Sequence, residues 1–389
     1  MFSGLSKLAD KPFVMGFFLP SLLGLMAFIF ANRDLPLLCR WLEAAEEGEK
    51  GFGDVVVALF VIWAVAVFLM ALNDLTYRLL EGYVGPFNNR FCIQWQVRRS
   101  RKLRKPFNDA RRQLDRTDIK IRRLRKLTDG GPPRRRLANA LQECYYRREK
   151  LRVECNDLLE KSNRHYYDYE NEEFILGTSF GNVIRCFEMY PHQMYNVSSV
   201  VMWPRLVDVI SKDYKEVLSD ARASVDMFLS LYVVSLVIAA TAIGRGIARF
   251  VGNHYTWDPS LTQFTITIAI AFAASWAFYL LATQSALTWW GETYRSAYDL
   301  YLGALTKKLG FLLPDTEENQ RRFWQLWSRQ FRYYYPQDFS DFQRATTASR
   351  TKSEGGDTEG SDKEGGEKEN DDGDDDEEET DDEDEGGPG

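Results

Sequence analysis

Residues 181 to 206 read GNVIRCFEMYPHQMYNVSSVVMWPRL and gather the side chains that chemistry uses: Arg185, Cys186, Glu188, His192 and Arg205. A thiol beside a base would be a nucleophile, and a carboxylate beside an imidazole could move protons. The spacing supports neither. On a helix Arg185 and Glu188 lie three residues apart on one face, an ordinary ion pair, while Cys186 turns away from both. No third group orients a base, and the chain contains no G-x-S-x-G, H-E-x-x-H, P-loop or G-x-G-x-x-G motif. We therefore expect no catalytic residue and no cofactor. An anion or ligand held in this stretch would meet Arg185 and Arg205, because a guanidinium matches phosphate or carboxylate.

Metal binding fares no better. The cysteines (Cys39, Cys92, Cys144, Cys155, Cys186) form no C-x-x-C pair, and His165, His192 and His254 are scattered. The stretch reads more readily as a joint. Gly177 and Gly181 permit close backbone approach, Pro191 would end the helix carrying Arg185, and Pro204 suits the first turn of the next. Asp213 and Glu216 then open a long helix that runs into an apolar segment.

The pattern G-N-x-I-R, then Tyr-Pro, then W-P-R-L ahead of a transmembrane helix resembles a segment of bacterial multi-pass membrane proteins of unassigned function. The resemblance covers about residues 177–245. It implies a bacterial inner-membrane protein and carries no activity with it.

The elements that must position these residues follow from hydropathy. The chain has 389 residues, 45% of them hydrophobic, yet a mean hydropathy of -0.36, so apolar and charged residues are segregated. Four windows have the length and character of membrane spans, at about 13–31, 55–72, 225–244 and 264–290. The first lacks a convincing cleavage site after it and reads as a retained span. Loop charge sets the orientation: residues 32–54 carry three basic side chains against six acidic ones, whereas 98–152 is densely basic. Both termini are then cytoplasmic, with 32–54 and 245–262 outside. Small residues recur at four-residue spacing at Gly16, Pro20 and Gly24, at Ala240 and Gly244, and at Ala269, Ala273 and Ala277, which predicts close helix packing or a homo-oligomer. No charge lies at a span centre, which argues against a proton-coupled transporter.

Between the second and third spans, Phe107, Ala110, Leu114, Thr117, Ile121 and Leu124 follow a 3-4 spacing. After TDGGPP (128–133) the spacing resumes at Leu137, Leu141, Cys144, Leu151, Cys155 and Leu158. This predicts an antiparallel coiled-coil hairpin over 107–163, with arms of roughly 30 Å at about 1.5 Å per residue. Just before it, RRSRKLRK places Arg98, Arg99, Arg101, Lys102, Arg104 and Lys105 in eight positions. These are the candidate contacts to anionic lipid or nucleic acid.

The fourth span continues through Tyr294, Tyr298, Tyr301, Leu305 and Leu309 on one face. Asp315 with Glu318 would cap a last helix whose Phe323, Trp324, Trp327 and Phe331 pack on the hairpin or lie along the inner leaflet. Residues 351–389 hold three lysines, twenty carboxylates and no aromatic residue, a composition that cannot fold alone. They contribute -17 to a whole-chain charge of -7, so the rest of the chain stands at +10.

The sequence thus predicts an all-α membrane protein with four transmembrane helices, a cytoplasmic antiparallel helical hairpin and a disordered acidic tail. Its divisions are a first pair of spans (1–76), a cytoplasmic helical domain (77–212), a second pair (213–290), cytoplasmic amphipathic helices (291–350) and the tail (351–389). The expected role is a membrane-anchored scaffold or sensor with a cytoplasmic protein partner. The alternative is an oligomeric channel or membrane-permeabilising effector, a layout shared with bestrophin-like channels, although none of their sequence motifs is present.

Overall fold

The apolar runs and the 3-4 spacings become helices. The computed structural model describes residues 10–32, 52–128, 135–166, 172–252 and 259–344. Among them the only β-type pairing is an isolated bridge between Phe311 and Arg344. The acidic loop after the first span, Cys39, the turn within TDGGPP from 129 onward, His254 with the link around it, and the acidic tail lie outside the described residues.

Helix α1 spans Lys11–Ala31 and contains a π turn at Val14–Phe18. Pro20 explains the irregularity. Its nitrogen cannot donate to the carbonyl of Gly16, and that carbonyl instead accepts from Ser230 Oγ at 2.8 Å. Helix α2, Phe52–Glu81, ends where Gly82 and then Gly85 take positive φ of 79° and 81°. Helix α3 spans Arg90–Thr128 and α4 Arg135–Asn163. They are followed by α5, Ser179–Tyr195, α6, Ser199–Val209, and α7, Lys212–Gly252. Helix α8, Pro259–Leu281, passes through a π turn at Ala282–Ala286 into α9, Leu287–Lys308, and α10 spans Glu317–Tyr333.

Four helices are long and apolar enough to cross a membrane: α1, α2, α7 and the α8–α9 rod. At about 1.5 Å per residue, the 41 residues of α7 extend about 62 Å, twice a hydrocarbon core of about 30 Å. Helix α7 therefore extends well beyond the length that a membrane crossing needs. One buried cluster joins Tyr77 and Leu80 of α2, Phe180 and Phe187 of α5, Met202 of α6 and Tyr298 of α9.

Several expectations need correction. Helix α3 begins at Arg90, not near 107, so it is about 58 Å long for its 39 residues. Pro106 lies inside it on an exposed face, where the missing amide is tolerated. Pro191 does not end its helix, and Pro204 lies in the middle of α6, not in its first turn. Phe180, Ile184, Phe187 and Pro191 form one buried stripe, and its packing offsets the hydrogen bond that Pro191 removes.

The cap of α10 is Thr316, whose hydroxyl accepts from the Asn319 amide at 3.4 Å, not Asp315. The aromatic stripe of that helix packs inside the protein. Phe323, Trp324 and Trp327 bury themselves against α5 and α6 and against Phe311, Phe339 and Phe342 from the flanking segments. In the spans, Gly16 and Gly24 do allow close approach: a methyl at Gly24 would meet Val234 Cγ1 at 2.5 Å. On the later spans the buried face is Ala239, Ala242, Ala271 and Ser275, whereas Ala240, Ala269, Ala273 and Ala277 are exposed.

Helices α3 and α4 contact each other along part of their length. Phe107 and Ala110 pack with Cys155, flanked by Leu114 and Leu158, and further along Asp118 pairs with Arg148 at 3.2 Å. Arg148, the polar residue in the α4 seam, thus meets a carboxylate.

Candidate functional site at the polar end of the bundle

The letters of G-N-x-I-R have structural work. Helix α5 starts hard against the end of α2: a methyl on Gly181 would overlap the Glu81 carbonyl oxygen, and one on Gly177 the Phe87 carbonyl. Thr178 caps α5 by accepting from the Gly181 amide at 3.0 Å, and its hydroxyl donates to the Leu80 carbonyl. Asn182 folds the preceding loop back, accepting from the Leu176 amide at 2.8 Å and donating to the Leu176 carbonyl at 2.9 Å. Ile184 is buried in the core. Arg185 Nη1 donates to the Phe174 carbonyl at 2.6 Å, with its guanidinium 5.7 Å from the ring centres of Tyr83 and Phe174.

Arg205 is engaged elsewhere. Its Nη1 donates to the Val201 carbonyl at 2.8 Å, and its guanidinium lies 3.7 Å from the centre of the Phe331 ring. Arg205 therefore ties α6 to α10 and Arg185 ties α5 to the segments before it, and neither lines a described pocket with the other. Cys186 is buried, which pushes its thiol up to about 12 against the opposing pull of Arg295. A thiol held there stays protonated at neutral pH and is no nucleophile. Burial, and next the Glu81 carboxylate, raise Glu188 to about 7, with Arg185 opposing. Among the described residues no group of three His, Cys, Asp or Glu side chains is placed to hold a metal ion.

The basic run divides by face. Arg98, Arg101, Lys102 and Lys105 follow the i, i+3, i+4, i+7 pattern and are exposed on one side of α3. Arg101 pairs with both oxygens of Glu172, at 2.7 and 2.8 Å, and holds that carboxyl below its ordinary range. Arg104 is half-buried. Arg99 turns inward, half-buried, and donates to Ser179 Oγ at 2.9 Å. The same hydroxyl accepts from Gln96 Nε2 at 3.2 Å, and Gln96 Oε1 accepts from Tyr166 Oη at 2.9 Å. No carboxylate among the described residues pairs with Arg99.

This polar knot closes one end of a cavity of about 450 Å³ between the start of α3, the start of α5 and helices α7 and α8. Its other walls are apolar and aromatic, among them Trp95, Phe272 and Trp276. Thr283 and Gln284 also line it from the π turn between α8 and α9. Irregular helical turns of that kind gather at functional sites. No protein-family model matches the chain, and no curated protein or solved structure is significantly similar to it.

Sequence reasoning singled out Arg99 but missed Gln96, Ser179, Tyr166 and the cavity. Gln96 and Ser179 are isolated polar letters, and only the fold brings positions more than eighty residues apart together. Another polar node was missed. The hydroxyls of Tyr190 and Tyr195 both donate to Asp299, at 2.9 and 2.7 Å, fastening α5 to α9. Burial, and next that hydrogen bond, push Tyr190 up to about 12.

Proposed function

We propose that the chain is a multi-pass protein of a bacterial inner membrane, with both termini and the α3–α4 hairpin in the cytoplasm. It acts there as a membrane-anchored scaffold or sensor. The observation that carries the reading is the exposed basic face of α3. Arg98, Lys102 and Lys105 lie on α3, which begins nine residues after the end of α2, and make no carboxylate pair among the described residues. Such a face suits anionic headgroups, where each basic side chain contributes about 1 kcal/mol. The seam contacts of Phe107 and Ala110 with Cys155, and of Asp118 with Arg148, fit an antiparallel hairpin that holds further arginines and lysines outward. The acidic tail is a tethered competitor for the same charges.

Full-length protein held in nanodiscs should tether anionic vesicles, and the tethering should weaken steeply as salt rises. In planar bilayers the same protein should be electrically silent. Unitary conductance from monodisperse protein, without salt-dependent tethering, would replace this reading with the channel.

A further inference from the structure

We propose that the cavity behind Arg99 holds one anionic phospholipid, its acyl chain against Phe272 and Trp276 and its phosphate on Arg99. Three observations converge. The cavity of about 450 Å³ is within the usual range for ligand sites and is apolar over most of its wall, as an acyl chain requires. Its one cationic wall residue is a half-buried guanidinium that spends a donor on Ser179 and has no carboxylate partner among the described residues. A cation withdrawn from water without a counter-charge is costly, and a phosphate at that end removes the cost.

The knot of Ser179, Gln96 and Tyr166 fixes where the guanidinium points, so the charge is held in place at the polar end of the cavity. Trp95 lines the same cavity, its ring 5.8 Å from the Arg99 guanidinium, and is exposed, as an interfacial aromatic at headgroup level is. This site differs from the outward basic face of α3, which meets a leaflet non-specifically. Arg99 turns inward to Ser179 and selects a single molecule. The inference rests on the membrane insertion of the proposed reading and not on its scaffold role.

Native mass spectrometry of the detergent-solubilised full chain tests it, with titration by phosphatidylglycerol, by phosphatidylethanolamine and by inorganic phosphate. The wild type should retain one phosphatidylglycerol in preference to phosphatidylethanolamine by about fivefold, the weight of one basic side chain beside an anionic headgroup. Millimolar phosphate should not compete. Arg99→Gln should equalise the two lipids, Leu236→Trp should fill the cavity and abolish retention of both, and Arg147→Gln on α4 should change nothing. Equal retention of the two lipids by the wild type would overturn the proposal even if a variant fails to fold. So would an unchanged preference in folded Arg99→Gln, or displacement of the lipid by phosphate alone. Vesicle tethering and conductance are read independently, so this site can fail while the scaffold reading stands.

Discussion

Tyr77 Oη donates to Asp226 Oδ1 at 2.9 Å, and Asn73 Nδ2 donates to the same oxygen at 3.0 Å, so two side chains of α2 hold a buried carboxyl of α7. Gly16 of α1 closes over it, since a methyl there would come within 3.2 Å of Asp226 Cβ. Three of the four long apolar helices thus meet at one polar point. Removing one donor leaves the carboxyl under-satisfied. Tyr77→Phe should destabilise the protein by about 1–3 kcal/mol and lower its thermal midpoint in detergent. An unchanged midpoint would show that the pair does not hold the bundle together.

The junction of α2 with α5 is mechanical. Gly181→Val should prevent the Glu81 carbonyl from approaching and cost about 3 kcal/mol or more, seen as loss of monodisperse protein. Cys186→Ala and His192→Ala should remain folded and keep full vesicle tethering. Alkylation of the native protein should leave Cys186 unmodified while half-buried Cys92 reacts, because the thiol of Cys186 is buried and stays protonated. Loss of tethering in folded Cys186→Ala would restore a chemical role to this stretch.

Glu188 gives the stability a pH signature. Its folded value of about 7 lies above the ordinary 4.5, so between these values the folded state binds more protons than the unfolded. The carboxyl is then neutral below about pH 4.5 in both states, and its burial becomes a growing penalty as pH rises towards 7. Glu188→Gln should raise stability at pH 8 by ~1–3 kcal/mol, with the gain shrinking as pH falls to 5. Thermal melts of both proteins across that range check it, and a gain that grows on acidification would contradict the assignment.

Much of this architecture was legible. The four long apolar helices could be read because each is a continuous apolar run in the sequence, and the helical character of Phe107–Leu124 because its apolar residues keep a 3-4 period. What escaped has physical causes too. Arg90–Lys105 carries almost no apolar period, yet it is helical because it continues a helix that packs further on. Pro191 and Pro204 look like helix ends, but buried neighbours at Phe187, Met202 and Leu206 keep both helices intact. The small-residue series Ala240 and Gly244, and Ala269, Ala273 and Ala277, lies on faces that this chain leaves exposed, while Ala239, Ala242, Ala271 and Ser275 pack within it. The Arg99 cavity could not be read at all, because its walls come from elements far apart in the chain, from Leu80 to Gln284.

The acidic tail should compete with lipid for the basic face. Ending the chain after Arg350 removes twenty carboxylates and should strengthen tethering of anionic vesicles by nanodisc-held protein. The gain should shrink between about 50 and 300 mM salt as the Debye length contracts. Equal tethering by the full and shortened chains at low salt would leave the tail a solubilising appendage only.

The central claim is that the basic arm faces the cytoplasm, and membrane-impermeant thiol labelling addresses it most directly. Tyr146, 76% exposed on α4, is replaced by Cys in a chain whose own cysteines other than Cys39 are removed. The account predicts that Cys39 labels in spheroplasts with an intact inner membrane and that position 146 labels only after the membrane is opened. Labelling of position 146 in sealed spheroplasts to the same extent as Cys39 would contradict it.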